Sequence, residues 1–408
     1  MSERVSIGAT HPAVHQADGY AAGAWLFTSG LMADDGLNGL AAEAQRPAGY
    51  PCFESAIKLQ VRHILKKAAE ILARKGAGLE DVVKAQAYLT HPSDFVALDE
   101  AWGEFFPKNV SRTFVATSTL PVAGARISIE LIACLPGSGL EIVRGNAASS
   151  PAFSRKVEAT RVGNVIFTSG QLGYDARAGF VPEAKQDREL PEAGSDLVRQ
   201  AKLTASNLAR SLVAVGGDGS HLARAQIFIP DMSQLASFER DWKRLLPAAP
   251  AQTIVGAGLF VPEGLVEVDF TGYVASSGER SGPIGDPSRP TAFRVDDLVF
   301  ASGQLPVDAD GLVPLATLPH PTFPNYASAI KLQTRYVLQR LVETFRTAGV
   351  KPEGIAKTTV FLTELDDYCG MNEVWREFFP EPQARTVVLT SSVGAGDARL
   401  AVDAIGVV

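Results

Sequence analysis

The chain repeats itself, and this restricts its fold more than any other feature. Ser55-Ala-Ile-Lys-Leu-Gln60 recurs letter for letter as Ser328-Ala-Ile-Lys-Leu-Gln333, 273 residues later. At the same offset Trp102 returns as Trp375, Phe105-Phe-Pro107 as Phe378-Phe-Pro380, Ser29-Gly30 as Ser302-Gly303, and Arg112-Thr113 as Arg385-Thr386. A middle copy follows the first by 140 residues: Phe27-Thr-Ser-Gly30 returns as Phe167-Thr-Ser-Gly170, Ala85-Gln86 as Ala225-Gln226, Trp102 as Trp242 and Pro107 as Pro247. Matches at fixed offsets mean three copies of one structural unit. Residues 136–150 and 276–290 are rich in Gly, Ser and Pro and read as linkers, which sets domains at 1–137, 151–277 and 291–408.

Each copy opens with a β-rich run (Trp25-Leu-Phe-Thr, Val165-Ile-Phe-Thr, Leu298-Val-Phe-Ala) that Ser-Gly or Ala-Ser-Gly ends. A long loop leads to a helix. Its apolar positions in copy 1, Ile57, Val61, Ile64, Ala68 and Ile71, form one stripe at helical spacing. Gly76 and Gly349 stand where a C-cap glycine belongs. A strand, a second helix (with Ser93 and Ser233 as N-cap candidates) and two closing strands follow. The order β-α-β-α-β-β, with right-handed crossovers, puts both helices on one face of a mixed sheet, an α+β unit. The opposite face is left without helices and must be buried elsewhere.

Composition narrows the classes of function. Of 408 residues, 46% are hydrophobic and the net charge is −7, a balance unlike the basic face that nucleic acid requires. No apolar run is long enough to span a bilayer, and the N-terminus leads into no apolar signal region. Three well-separated cysteines, Cys52, Cys134 and Cys369, fit free thiols in a reducing cytoplasm. Six scattered histidines without cysteine partners make no zinc site. Gly216-Gly-Asp-Gly219 follows a helix instead of a strand, the wrong order for a dinucleotide loop, and there is no Gly-x-Ser-x-Gly elbow.

The element order, Phe-Thr-Ser-Gly, Lys357-Thr-Thr-Val-Phe-Leu-Thr-Glu-Leu-Asp-Asp-Tyr368, Met371-Asn-Glu-Val-Trp375, Ala384-Arg-Thr-Val-Val388 and the ending Val402-Asp-Ala-Ile-Gly-Val407 together resemble the Rid (YjgF-type, reactive intermediate deaminase) family. The resemblance covers nearly the whole chain three times; copy 3 is nearest and copy 2 most divergent. It implies chorismate-mutase-like domains that form a pseudo-trimer within one polypeptide, with active sites in the clefts between copies. It also implies a substrate-clamping arginine, an acidic residue in the last strand that handles water, and Ser-Gly lining the pocket. The matching residues are Arg112, Glu130, Ser29 and Gly30 in copy 1, and Arg385, Asp403, Ser302 and Gly303 in copy 3. In copy 2 they are Gln252, Asp269, Ser169 and Gly170, a degenerate set.

The chemistry is self-consistent. A guanidinium holds a carboxylate through paired hydrogen bonds, and a nearby acid can shuttle protons between water and leaving ammonia. No metal or organic cofactor is required. The expected activity is hydrolysis of a carboxylate-bearing imine or enamine to a keto acid and ammonia, with a small carboxylate as partner and no nucleic acid or membrane. A related hydrolase, isomerase or tautomerase, or a non-catalytic small-molecule binder, are the alternatives. Two departures from the family stand out. The position two residues after the arginine, often cysteine, is Phe114, Ile254 or Val387, which excludes a thiol there. The loop after Ser-Gly is also extended, carrying Tyr50-Pro51 in copy 1 and Pro324-Asn-Tyr326 in copy 3, and such loops set specificity.

Overall fold

The computed structural model describes residues 2–7, 14–106, 108–147, 156–175, 179–185, 195–246, 248–275 and 281–408. Pro107, Pro247, His11 and parts of both expected linkers (148–150 and 276–280) lie outside the described residues.

Each copy is one sheet with two helices on one face. In copy 1 the strand order is Glu3–Val5, Gly19–Ala22, Trp25–Thr28, Ile127–Cys134, Val82–Leu89, Ser111–Ala116. Only the last pair runs parallel; the other pairs are antiparallel. Copy 3 repeats this order from Gly282–Asp286 to Ala384–Leu389, and copy 2 does so with a short extra strand, Gln171–Leu172. The helices are α1 Ala56–Ala73 and α2 Phe95–Phe105, α3 Asp196–Val213 and α4 Leu235–Leu245, and α5 Ala329–Thr347 and α6 Asp367–Phe378. The expected stripe of α1 is fully buried against its sheet, as are Trp102, Trp242 and Trp375. Gly76 and Gly349 adopt φ of 69° and 80°, the left-handed cap conformation that a side chain resists.

Three sequence expectations need correction. The stretches 136–150 and 276–290 are more than linkers: Ile142–Gly145 pairs with Ala159–Val162, and Gly282–Asp286 pairs with Arg289–Val295. Both are half-exposed edge strands that bond on one side only, so glycine and polar residues are tolerated there and mask the β signal. Each unit also gains an opening hairpin, turned by Gly23-Ala24, Gly163-Asn164 or Asp296-Asp297 with positive φ at the first residue, so the order within a copy is β-β-β-α-β-α-β-β. Ser93 and Ser233 sit inside short 3-10 turns, and Asp94 and Gln234 occupy the N-cap positions of α2 and α4.

The helix-free faces meet around a central axis. Along Val82–Leu89, Leu222–Ile229 and Ile355–Leu362 the inward side chains form layers, one from each copy: Val83, Ala223 and Ala356 in an apolar cluster, then Lys84, Arg224 and Lys357, then Gln86, Gln226 and Thr359, then Tyr88, Phe228 and Phe361. The charged layer closes into a ring that steps from copy to copy. Lys84 Nζ is 3.1 Å from Asp269, Arg224 Nη2 is 2.8 Å from Asp403, and Lys357 Nζ is 2.8 Å from Glu130. Thr113, Thr253 and Thr386 donate to the same three carboxylates. The chain is therefore a closed pseudo-trimer of its own three copies.

Candidate active site

The junctions between copies are built alike. The Arg112 N–H donates to Ser169 Oγ at 2.9 Å, and Gly170 N–H donates to Arg112 O at 3.2 Å. Arg385 meets Ser29 and Gly30 in the same way at 2.9 and 3.3 Å, and Gln252 meets Ser302 and Gly303 at 3.3 and 3.0 Å. Each clamp position thus faces the Ser-Gly of the next copy, not its own. The serine hydroxyls also donate to backbone carbonyls: Ser29 to Ala17, Ser169 to Val157 and Ser302 to Pro290. With both functions engaged, they hold the junction together.

The acidic residues expected beside the arginines lie elsewhere. Ala85 pairs with both Arg112 and Leu131, while Gln86 pairs with Thr113 and Glu130. Glu130 therefore points to the opposite face of the sheet from Arg112, because side chains alternate along a strand. The same register separates Asp403 from Arg385. Glu130, Asp269 and Asp403 belong to the axial ring around a cavity of about 30 Å³, which has room for a water or two and none for an organic acid.

The junction of copies 1 and 2 assembles a different set. Arg112 is 2% exposed, donates to Asp99 of α2, and lies 4.9 Å from the Phe114 ring and 5.5 Å from that of Trp102. Across the cleft stands Glu267, 5% exposed, on the same strand face as Asp269 two residues on. A Cβ on Gly170 would fall 2.2 Å from Glu267 Oε1 and 3.0 Å from Thr113 Cγ2, so a side chain here would displace the Glu267 carboxylate. Lys156 Nζ donates to Gly170 O at 3.2 Å. Burial pushes Glu267 up to about 8, despite the opposing pull of Lys156. Burial likewise brings Lys156 down to about 8, with Glu267 opposing and Arg112 assisting. The Tyr174 phenol is raised by burial and by the charges of Glu267 and Glu158.

The other junctions lack this set. Position 128 is serine and 401 is alanine where copy 2 has Glu267. At the junction of copies 3 and 1, Arg385 is 1% exposed, stacks 4.9 Å over Trp375 and donates to Asn372 Oδ1 at 2.6 Å. Asn372 stands where copy 1 has Asp99. Glu267, Lys156, Asp99 and Asn372 were missed by sequence reasoning. For Glu267 a signal existed: it lies one pleat before Asp269 and so shares its face.

The profile of the Endoribonuclease L-PSP family matches residues 8–135, 147–274 and 282–408. The chain belongs to that family, the YjgF/Rid family. Among its relatives, the mitochondrial protein mmf2 of Schizosaccharomyces pombe is 35% identical over 103 residues, 25% of this chain and 71% of mmf2. A RutC family protein of Pyrococcus abyssi is 30% identical over 123 residues, 30% of this chain and 87% of that protein. The chloroplastic Reactive Intermediate Deaminase A of Arabidopsis thaliana is 29% identical over 109 residues, 27% of this chain and 51% of that protein. Among solved structures, Escherichia coli TdcF with bound serine is 28% identical, covering 33% of this chain and 96% of TdcF with a TM-score of 0.24. Family members thus carry mitochondrial and chloroplastic names, so membership does not fix a compartment. Among the described residues no helix is long and apolar enough to cross a membrane.

Proposed function

We propose that the chain is an imine/enamine deaminase that hydrolyses a small 2-imino carboxylic acid to a 2-keto acid and ammonia at one cleft, that of copies 1 and 2. The carrying observation is that Gly170 of copy 2 bonds Arg112 of copy 1 across this junction, while Glu267 Oε1 and Lys156 Nζ both lie against that glycine. Arg112 has five donors in a planar fork, so it can keep Asp99 and still take a substrate carboxylate. Glu267, with its pKa near 8, carries a proton at neutral pH and is poised to give it to the departing nitrogen and regain one from the nucleophile. Glu130 and Asp403 are left with a structural role in the axial ring. The extended loop after Ser-Gly in copy 1 lines its own surface pocket with Arg46, Cys52 and Phe53, beside Lys58 of α1.

The cleft of copies 3 and 1 supports a second reading, binding without turnover. Arg385 keeps a buried guanidinium whose partners, Asn372, Met371 and Tyr368, include no carboxylate, and Arg385 Nε has no partner among the described residues. A carboxylate ligand would supply the missing counter-charge, but no acid stands at the Glu267 position. Gln252 leaves the third cleft without a clamp.

Ammonia release from oxidase-generated imino acids tests the assignment. Arg112→Ala and Glu267→Gln should each lower kcat/KM at least about tenfold, in line with the loss of a charge-assisted hydrogen bond. Arg385→Ala should leave turnover within about twofold, since no transition-state contact is lost there. Full activity in Arg112→Ala would reject the proposal.

A further inference from the structure

Lys156 is an amine in the one cleft that also holds a clamp arginine and a buried acid. Its backbone forms a parallel bridge with Val110, beside the edge strand that carries Arg112, and Val157 N–H donates to Val110 O at 3.4 Å. Its ammonium is tied to the carbonyl of Gly170, whose own N–H is tied to Arg112 O. Glu267 Oε1 lies against the same glycine. Amine and acid therefore converge on Gly170, which the backbone of Arg112 also holds. The residue fourteen places before the Ser-Gly glycine is lysine only here; it is Gln16 in copy 1 and Arg289 in copy 3. The axial lysines, Lys84 and Lys357, each contact a carboxylate. No described carboxylate lies within ion-pair distance of the half-buried Lys156.

We infer that Lys156 is a nucleophile of this cleft and forms a covalent imine with C2 of the bound 2-imino acid. The inference rests on the deaminase reading above and specifies its first step. A lysine acts as a nucleophile only as the free amine, and desolvation beside a second cation favours that form. Both conditions hold for Lys156, whose pKa burial and Arg112 bring down to about 8.

The Nζ lone pair forms a bond to C2 while the C=N π pair moves to the imine nitrogen, which takes the Glu267 proton. Nζ returns a proton to the Glu267 carboxylate, Glu267 passes that proton to the original nitrogen, and the C–N bond breaks to release ammonia as the Nζ lone pair forms the lysine iminium. Water then adds to the lysine iminium and gives one proton to the Glu267 carboxylate; its other proton passes to Nζ as the Nζ–C2 bond breaks, and the 2-keto acid leaves with the amine and the acid restored. The sum is imino acid plus water giving keto acid plus ammonia, with no other reactant.

Pyruvate and cyanoborohydride test it directly on the full chain. Reduction should leave a carboxyethyl group on Lys156, located by peptide mass spectrometry. The adduct should vanish in Lys156→Arg and fall at least about tenfold in Arg112→Ala, which loses the charge-assisted bonds that orient the acid. Circular dichroism of both variants confirms that they are folded. Calorimetry in parallel reports whether pyruvate occupies the cleft. Pyruvate bound in an Arg112-dependent manner with no Lys156 adduct overturns the inference and leaves the deaminase reading standing. So does wild-type ammonia release by Lys156→Arg. A Lys156 adduct without ammonia release from any imino acid keeps the nucleophile and rejects the deaminase. Absence of binding, adduct and ammonia release rejects both.

Discussion

Removing Lys357 from the axial ring separates a structural role for Glu130 from a chemical one. Lys357 Nζ is 2.8 Å from Glu130 Oε2 and 3.0 Å from Thr28 O, and it also bonds Thr386 Oγ1. Lys357 is 5% exposed and the Glu130 side chain 13%. At that separation the gross attraction is about 6 kcal/mol for an effective dielectric near 20. In Lys357→Met the carboxylate keeps only the Thr386 hydroxyl as its named partner. Breaking one side of a buried pair costs about 3–5 kcal/mol, whereas replacing both sides by neutral groups is often close to neutral. Lys357→Met should therefore lose about 3–5 kcal/mol in chemical denaturation, and Lys357→Met/Glu130→Gln should recover most of it. The four tryptophans are all buried, so their fluorescence reports the transition. Ammonia release by the double variant should stay within about threefold of wild type, because neither side chain faces the Arg112 cleft. A stable double variant without activity would refute the reasoning and return Glu130 to the chemistry. A single-variant cost below about 1 kcal/mol would show that the ring is solvated and does not hold the trimer.

Three further outcomes follow from the same geometry. Gly170→Ala places a methyl 2.2 Å from Glu267 Oε1, so ammonia release should fall at least about tenfold through displacement of the acid; wild-type kcat/KM in a folded variant would mean that Glu267 does not act there. Calorimetric titration with a non-reactive 2-keto acid should count two sites, one lost in Arg112→Ala and the other in Arg385→Ala, with Gln252→Ala without effect; three equal sites would contradict the clamp assignment. Because burial raises Glu267 from 4.5 to about 8, the folded chain keeps a proton that the unfolded chain has released between those values. That group therefore lowers stability as pH rises through this interval, and Glu267→Gln should remove its share of the decline; an unchanged slope of unfolding free energy against pH would show that burial does not set its charge. Lys156, lowered from 10.5 to about 8, acts in the opposite sense above pH 8.

The family, the three copies and the two helices per sheet were legible because each depends on local order. Repeats, helical stripes and strand-ending Ser-Gly survive in one dimension. The edge strand Ile142–Gly145 was hidden because one-sided pairing leaves little compositional trace. The site was only half legible, for a different reason. Arg112 and Glu130 belong to one copy and look like partners, yet sheet register sends them to opposite faces. Arg112 instead meets Ser169 and Gly170 of the next copy, the glycine against which Lys156 and Glu267 lie, and Ser29 meets Arg385 from the far end of the chain. The sequence determined which side chains exist in each copy, including the single lysine fourteen residues before Gly170. Tertiary structure decided which of them share a cleft, because closing three sheets around an axis pairs the edge of one copy with the turn of the next.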